Sequence, residues 1–114
     1  MKISRGEVIR INLNPAEGRE QSGNARPCLV LSHAKYNAKR GGIVVVTPLT
    51  STVKPEIKMM IPVPEGHKVR GSVIAEQVRT LDLKTRWWKT TGEVLLLPAE
   101  FVDRVVETFK VIIS

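Results

Sequence analysis

The chain has 114 residues, 42% hydrophobic but only 4% aromatic. That fits one domain, residues 1–114, with a core of Val, Ile and Leu and a lean toward strands. No apolar stretch approaches membrane-spanning length and residues 1–7 carry no apolar signal segment, so no membrane-spanning helix is expected and a cytoplasmic protein is.

Eighteen basic and eleven acidic residues give a net charge of +7. The excess is uneven. Residues 1–92 hold 16 basic and 7 acidic side chains, a balance of +9, and residues 93–114 hold 2 and 4, a balance of −2. A basic body with a mildly acidic tail fits a bound polyanion, with plain solubility as the rival meaning.

Residues 7–13 alternate, with Val8, Ile9, Ile11 and Leu13 apolar, and predict a first strand ended by Asn14-Pro15. A polar loop follows over 16–26. Residues 27–32 form a short continuous apolar run, expected as a buried strand. The stretch 33–42 is basic and polar and ends in Gly41-Gly42. Ile43 to Val46 reads as another buried strand, stopped at Thr47-Pro48. Residues 57–63 lie among prolines and predict an edge strand. Residues 72–81 read as one strand, 83–91 as polar and basic around Trp87-Trp88, and 92–97 as short and apolar.

At Pro98 the period changes. Phe101, Val102, Val105, Val106, Phe109 and Ile112 or Ile113 fall on one side, and Glu100, Asp103, Arg104, Glu107 and Lys110 on the other. This predicts an amphipathic helix with proline at its start, its apolar face sealing the open side of a sheet. The fold class expected is mainly β with a C-terminal helix, a small antiparallel barrel.

The single thiol, Cys28, excludes an internal disulfide and a CxxC zinc pair, and sits in an apolar run as a buried group would. His33 and His67 lack partners at ligand spacing, so no metal site is expected. No P-loop, dinucleotide fingerprint or Gly-x-Ser-x-Gly elbow exists.

Polar loop chemistry remains. The segment Gly18-Arg19-Glu20-Gln21-Ser22-Gly23 runs into Ala25-Arg26-Pro27, joining two guanidiniums, a carboxylate and an amide. A guanidinium fork fits a phosphate diester, although a solvated turn is the commoner meaning of such a loop. Thr50 and Ser51 follow a buried strand and offer hydroxyls for phosphate oxygens or for capping the turn. Alternation puts Glu76 on one face of the later strand and Gln77 with Arg79 on the other.

Taken together, these segments resemble the MazF/PemK toxin family. The match runs through Arg5-Gly6-Glu7-Val8, Leu13-Asn14-Pro15, Gly18 to Gly23, Arg26 to Ser32, Val44 to Ser51, Gly71-Ser72-Val73 and Glu76 to Asp82. The resemblance implies an SH3-like (CcdB/PemK-type) barrel forming a homodimer, and a toxin endoribonuclease that cuts single-stranded mRNA at a short sequence without a metal or other cofactor. It also implies a cognate MazE-like antitoxin. Arg26 and Thr50 match the family's usual catalytic pair. Glu20, Gln21, Ser51, Glu76 and Gln77 match positions lining its substrate groove, and Glu20 is the physically easier proton acceptor, because arginine stays charged. Arg19 stands where one branch has a histidine, Ile74 where that branch has a catalytic arginine, and Glu76 where it has an aspartate. The chain therefore resembles the branch using arginine and threonine. Trp87-Trp88 lies outside the pattern; packing or a partner is expected there.

The chemistry so implied is attack of a ribose 2′-hydroxyl on the adjacent phosphorus, leaving a 2′,3′-cyclic phosphate and a 5′-hydroxyl. Two rivals stand beside it: a CcdB-like gyrase-binding toxin, which needs no phosphate-reactive pair, and a non-catalytic nucleic-acid-binding barrel.

Overall fold

A computed structural model describes residues 2–91 and 96–114. The strands are β1 (Val8–Ile11), β2 (Arg26–Val30), β3 (Ile43–Thr50), β4 (Met60–Pro62), β5 (Ser72–Ile74), β6 (Arg79–Asp82) and β7 (Trp88–Thr90). Two helices join them, α1 (Ala34–Lys39) and α2 (Ala99–Ile113). All pairings are antiparallel, in the order β4-β5-β3-β2-β1-β7, with β6 also on β3. The mainly β architecture with a C-terminal helix is the one expected. The sheet is open: among the described residues no ladder joins its two ends.

The continuous apolar runs of β2 and β3 have a direct cause, which is that both faces of the central strands are buried. Val8, Leu29, Leu49 and Val73 enter one core cluster with Phe101, Val102 and Val105 of α2. Ile9, Ile11, Cys28, Val30, Val44 and Val46 enter a second, closed by Ile3, Leu13, Leu81 and Leu83, with Trp88 packed against it. Helix α2 thus seals one face, as its periodicity predicts. It is anchored at its edge by Arg5, which donates to Asp103 at 2.8 Å and to the Leu31 carbonyl at 3.2 Å. Its last turn overshoots the sheet, leaving Val111 and Ile113 about two-thirds exposed (70% and 66%) rather than on the sealed face.

Four expectations are corrected. Strand β3 does not stop at Thr47-Pro48 but runs to Thr50. Pro48 stands where β3 leaves β6, paired over 43–46, and takes up β5, paired over 49–50. A residue without an N–H is tolerated at such a change of partner. The same change splits the strand expected over 72–81 into β5 and β6, with a corner at 75–78. The stretch 33–42 contains α1, which the polar composition concealed. Its buried Asn37 explains it: the side chain donates to the carbonyls of Ile3 (2.8 Å) and Ser32 (3.2 Å) and accepts from the Ser32 hydroxyl at 2.5 Å. Finally, the edge strand expected over 57–63 is only β4, and it does lie at the sheet's end. The segment expected to be short and apolar, 92–97, falls mostly outside the described residues; Leu96 bridges Glu7.

Cys28 is fully buried in the second cluster, and burial pushes its thiol up to about 12, against the opposing pull of the Arg26 and Arg79 charges. A thiol whose folded value is raised contributes no pH dependence below its ordinary value near 9.0, where both states are protonated. Between pH 9 and 12 the unfolded chain ionises and the folded chain does not. Wild-type stability relative to Cys28→Ala is therefore expected to fall by up to about 1 kcal/mol per pH unit above pH 9 in denaturant titrations. A constant difference from pH 8 to 11 would contradict the assignment.

Candidate active site

The site lies at the rim of the second core cluster. Along β2, Arg26 is in phase with Cys28 and Val30, and along β3, Thr50 is in phase with Val46 and Pro48. The β2–β3 register pairs Val30 with Val46 and Cys28 with Pro48. Carried two residues further, it sets Arg26 opposite Thr50, where the ladder has ended and the two chains are free to present side chains.

The Arg26 guanidinium is held from two directions. Its Nη2 donates to the Leu49 carbonyl at 2.9 Å, next to Thr50, and to Gln21 Oε1 at 3.0 Å. Its Nε is buried with no hydrogen-bond partner. A buried donor left unpaired costs about 1–3 kcal/mol, so a group kept this way marks strain or a ligand's place. Thr50 is half-buried, and its Oγ1 accepts from Thr52 N at 3.3 Å, which fixes the hydroxyl at the strand's end. Ser51 follows on the surface. Ser72, the cross-strand partner of Thr50, is fully buried with its hydroxyl unpaired.

Gln21 belongs to the loop over 16–25. The loop is tied inward by Leu13 N to the Gly23 carbonyl (3.0 Å), by Gly23 N to Asn14 Oδ1 (3.2 Å) and by Asn14 Nδ2 to Asn24 Oδ1 (2.8 Å). From the β5–β6 corner, Gln77 Oε1 accepts from Gln21 N at 2.7 Å and Gln77 Nε2 donates to the Arg19 carbonyl at 3.0 Å. Glu20 is exposed, and its Oε1 accepts from Glu17 N at 3.0 Å across a turn. Arg19 is exposed at the loop tip and Glu76 on the corner.

The fold therefore gathers Arg26, Gln21, Gln77 and the β3 end carrying Thr50. It does not put Glu20 on the guanidinium: the group Arg26 donates to is the Gln21 amide. The expected alternation of Glu76 and Gln77 along one strand is replaced by the corner. Trp88 packs on the second cluster while Trp87 stays half exposed (51%).

Sequence reasoning missed two backbone features. At Gly23 (φ +134°) an added Cβ would lie 2.7 Å from Arg26 Cγ and Cδ. At Gly71 (φ +102°) it would lie 2.0 Å from the Thr50 carbonyl oxygen. Both glycines make room at the site. The signal was their place in segments that match the family pattern, Gly18 to Gly23 and Gly71-Ser72-Val73. An open groove of about 870 Å³ lines the β4–β5 hairpin, between Val53 on one side and His67, Lys68 and Arg70 on the other. It ends at Gly71, so it adjoins the Arg26–Thr50 corner without containing it.

This arrangement, a tethered guanidinium at the start of β2 and a hydroxyl at the end of β3, offers donors suited to a phosphate-like anion. The sequence pattern shared by PemK-like, MazF-like toxins matches residues 4–113, nearly the whole chain. The chain belongs to that family of type II toxin–antitoxin toxins. Endoribonuclease toxin ChpB of Escherichia coli is 35% identical over 94 residues, covering 80% of this chain and 79% of its own length. The crystal structure of MazF from Deinococcus radiodurans superposes with a TM-score of 0.85 at 29% identity, covering 99% of this chain and 97% of that one. A MazE-MazF crystal structure from the same organism gives 0.79 at 29% identity, covering 99% and 96%.

Close backbone approach at Gly71 makes a distinct stability test. Gly71→Ala is expected to lower the unfolding free energy by about 2 kcal/mol or more, from a strained φ plus a clash with backbone. Gly18→Ala, at φ +60° with nothing within 4 Å, should lose only about 1 kcal/mol. Equal losses in urea titrations would contradict the packing of Gly71 on Thr50.

Proposed function

We propose that this protein is the toxin endoribonuclease of a type II toxin–antitoxin pair, cutting single-stranded RNA at a short sequence. In the step proposed, the ribose 2′-oxygen attacks the adjacent phosphorus and the bond to the 5′-oxygen breaks. The 2′-hydroxyl gives up its proton to a base, and the leaving 5′-oxygen takes one up. The products are a 2′,3′-cyclic phosphate and a 5′-hydroxyl. The observation that carries the reading is the Arg26 guanidinium, tethered to the Leu49 carbonyl beside Thr50 with its Nε unpaired.

The nucleophile belongs to the RNA, so the protein has to position, move a proton and stabilise charge. Arg26 donates to the phosphoryl oxygens and Thr50 adds a fixed hydroxyl. Glu20 is the proposed proton acceptor; its carboxylate lies on the exposed loop, where Oε1 accepts from Glu17 N at 3.0 Å, and has to exchange that contact to reach the substrate. No step requires a metal. DNA lacks the nucleophile, and duplex RNA cannot splay its backbone into line. The basic groove under the β4–β5 hairpin offers a path for the strand beyond the cut.

Two further features belong to this reading. The copies pair as a homodimer, and a MazE-like antitoxin covers the basic site with an acidic segment; a similar chain has been crystallised as MazE-MazF. Both partners and the RNA meet in the cytoplasm.

In EDTA, the wild type is expected to give discrete cuts with 5′-hydroxyl ends in a long single-stranded RNA. Arg26→Ala should lose on the order of 10²–10³ in rate with folding intact. Glu20→Gln should lose most activity throughout pH 5 to 8. A near-normal rate in Arg26→Ala would end the assignment of Arg26, and an unchanged rate in Glu20→Gln between pH 5 and 8 would remove Glu20 as the base. RNA that shifts in a gel but keeps its length would favour a binding barrel instead.

A further inference from the structure

We infer that Gln77 is a positioning residue for the Arg26 guanidinium, acting through the loop over 16–25 rather than by touching RNA; the inference rests on the ribonuclease reading above. Gln77 sits at the β5–β6 corner, where its backbone N donates to the Ile74 carbonyl at 3.1 Å and so ties the corner to β5. Its side-chain amide spends both kinds of group on the loop backbone: Oε1 accepts from Gln21 N at 2.7 Å, and Nε2 donates to the Arg19 carbonyl at 3.0 Å. These contacts straddle Glu20, taking alternate backbone groups as a neighbouring strand would. The loop has no strand partner at residues 19–21, so one side chain does the work of a ladder.

The consequence falls on the next residue along. With its backbone N–H fixed by Gln77, Gln21 turns its own Oε1 to Arg26 Nη2 at 3.0 Å. A chain of hydrogen bonds thus runs from the β5–β6 corner through Gln77 and Gln21 to the guanidinium, joining segments more than fifty residues apart (|i−j| of 56 for the Gln77–Gln21 link). Among the described residues, the loop's other ties to the body reach residues 23, 24 and 25, beyond Gln21. Without Gln77, Arg26 keeps the Leu49 carbonyl and loses the partner that sets the plane of its fork. A guanidinium swung by an ångström presents the wrong donors to the phosphate, which costs about 10²-fold in reactions that depend on alignment.

The amide is chemically specific. A carboxylate at this position still accepts from Gln21 N–H but cannot donate to the Arg19 carbonyl, and it sets two oxygens against each other. Protonated, a carboxylic acid has one donor and one acceptor and restores both contacts. This gives a readout that loss of stability alone would not produce.

The experiment uses the full chain, single-turnover cleavage of a short single-stranded RNA, and thermal melts as a folding control. Gln77→Met should lower the maximal rate by about 10- to 100-fold with the half-saturating concentration changed less than about threefold. In an Arg26→Ala background the same change should cost less than about twofold more. Gln77→Glu should regain activity relative to wild type as the pH falls from 7 toward 4.5, the range in which a glutamate protonates. A raised half-saturation at unchanged maximal rate would make Gln77 a substrate contact and overturn the inference. So would a full additional loss in the Arg26→Ala background, or a Gln77→Glu deficit flat with pH. If Gln77→Met fails to fold, the Gln77→Glu profile decides. If the wild type itself leaves RNA uncut, the ribonuclease reading fails on its own. The positioning claim is then decided by NMR of the Arg26 side chain, whose order must drop in Gln77→Glu at pH 7 and return on acidification.

Discussion

The hydrogen bond from Arg26 to the Leu49 carbonyl joins the start of β2 to the end of β3, and the architecture around the site follows from it. The two strands run side by side through the double-sided core and stop pairing at Cys28 and Pro48. Beyond that point the backbone groups that a ladder would have satisfied must find other partners. The Leu49 carbonyl takes the guanidinium. The guanidinium is thereby held at the rim of an apolar cluster, where its charge is poorly screened and acts strongly on any anion brought to it. Thr50, one residue on, inherits its position from the same strand end.

The surrounding arginines divide into two kinds. Arg79 donates to the Leu13 carbonyl at 2.8 Å, Arg86 to the carbonyls of Asn12 and Asn14 at 2.9 Å each, and Arg10 to the Ala25 carbonyl at 3.2 Å. These fasten the end of β1 and the loop that follows, so part of the basic excess of the body is structural. Arg26 differs in keeping a buried Nε without a partner. A net charge of +9 over residues 1–92 therefore overstates the charge available to a polyanion while still describing its sign.

Much of this was legible in the sequence. Alternation located β1, continuous apolar runs located β2 and the first half of β3, and the change of period located α2. Arg26 and Thr50 were legible only as members of a set, because a lone arginine before proline or a lone threonine after a strand has commoner meanings. What stayed hidden depended on tertiary context. Pro48 reads as a strand stop, yet it marks the place where β3 exchanges β6 for β5. The segment over 72–81 has a strand's composition, and only that exchange bends it into a corner. Helix α1 carries no apolar residue larger than alanine except the exposed Tyr36, and its one buried side chain, Asn37, is bound to carbonyls that local sequence cannot name. Gln77 read as one face of a strand; at the corner it faces the loop, a contact across more than fifty residues.

The central claim is that the tethered Arg26 guanidinium contacts a non-bridging oxygen of the scissile phosphate. The most direct measurement is cleavage of RNA carrying a single phosphorothioate of defined configuration at the cut. Sulfur accepts hydrogen bonds poorly, so wild-type protein should cut one diastereomer at least about tenfold more slowly than the other in EDTA, and Arg26→Ala should cut the two at similar rates. Equal rates for both diastereomers with wild type, or a preference that persists undiminished in Arg26→Ala, would contradict the placement of Arg26 on the phosphate.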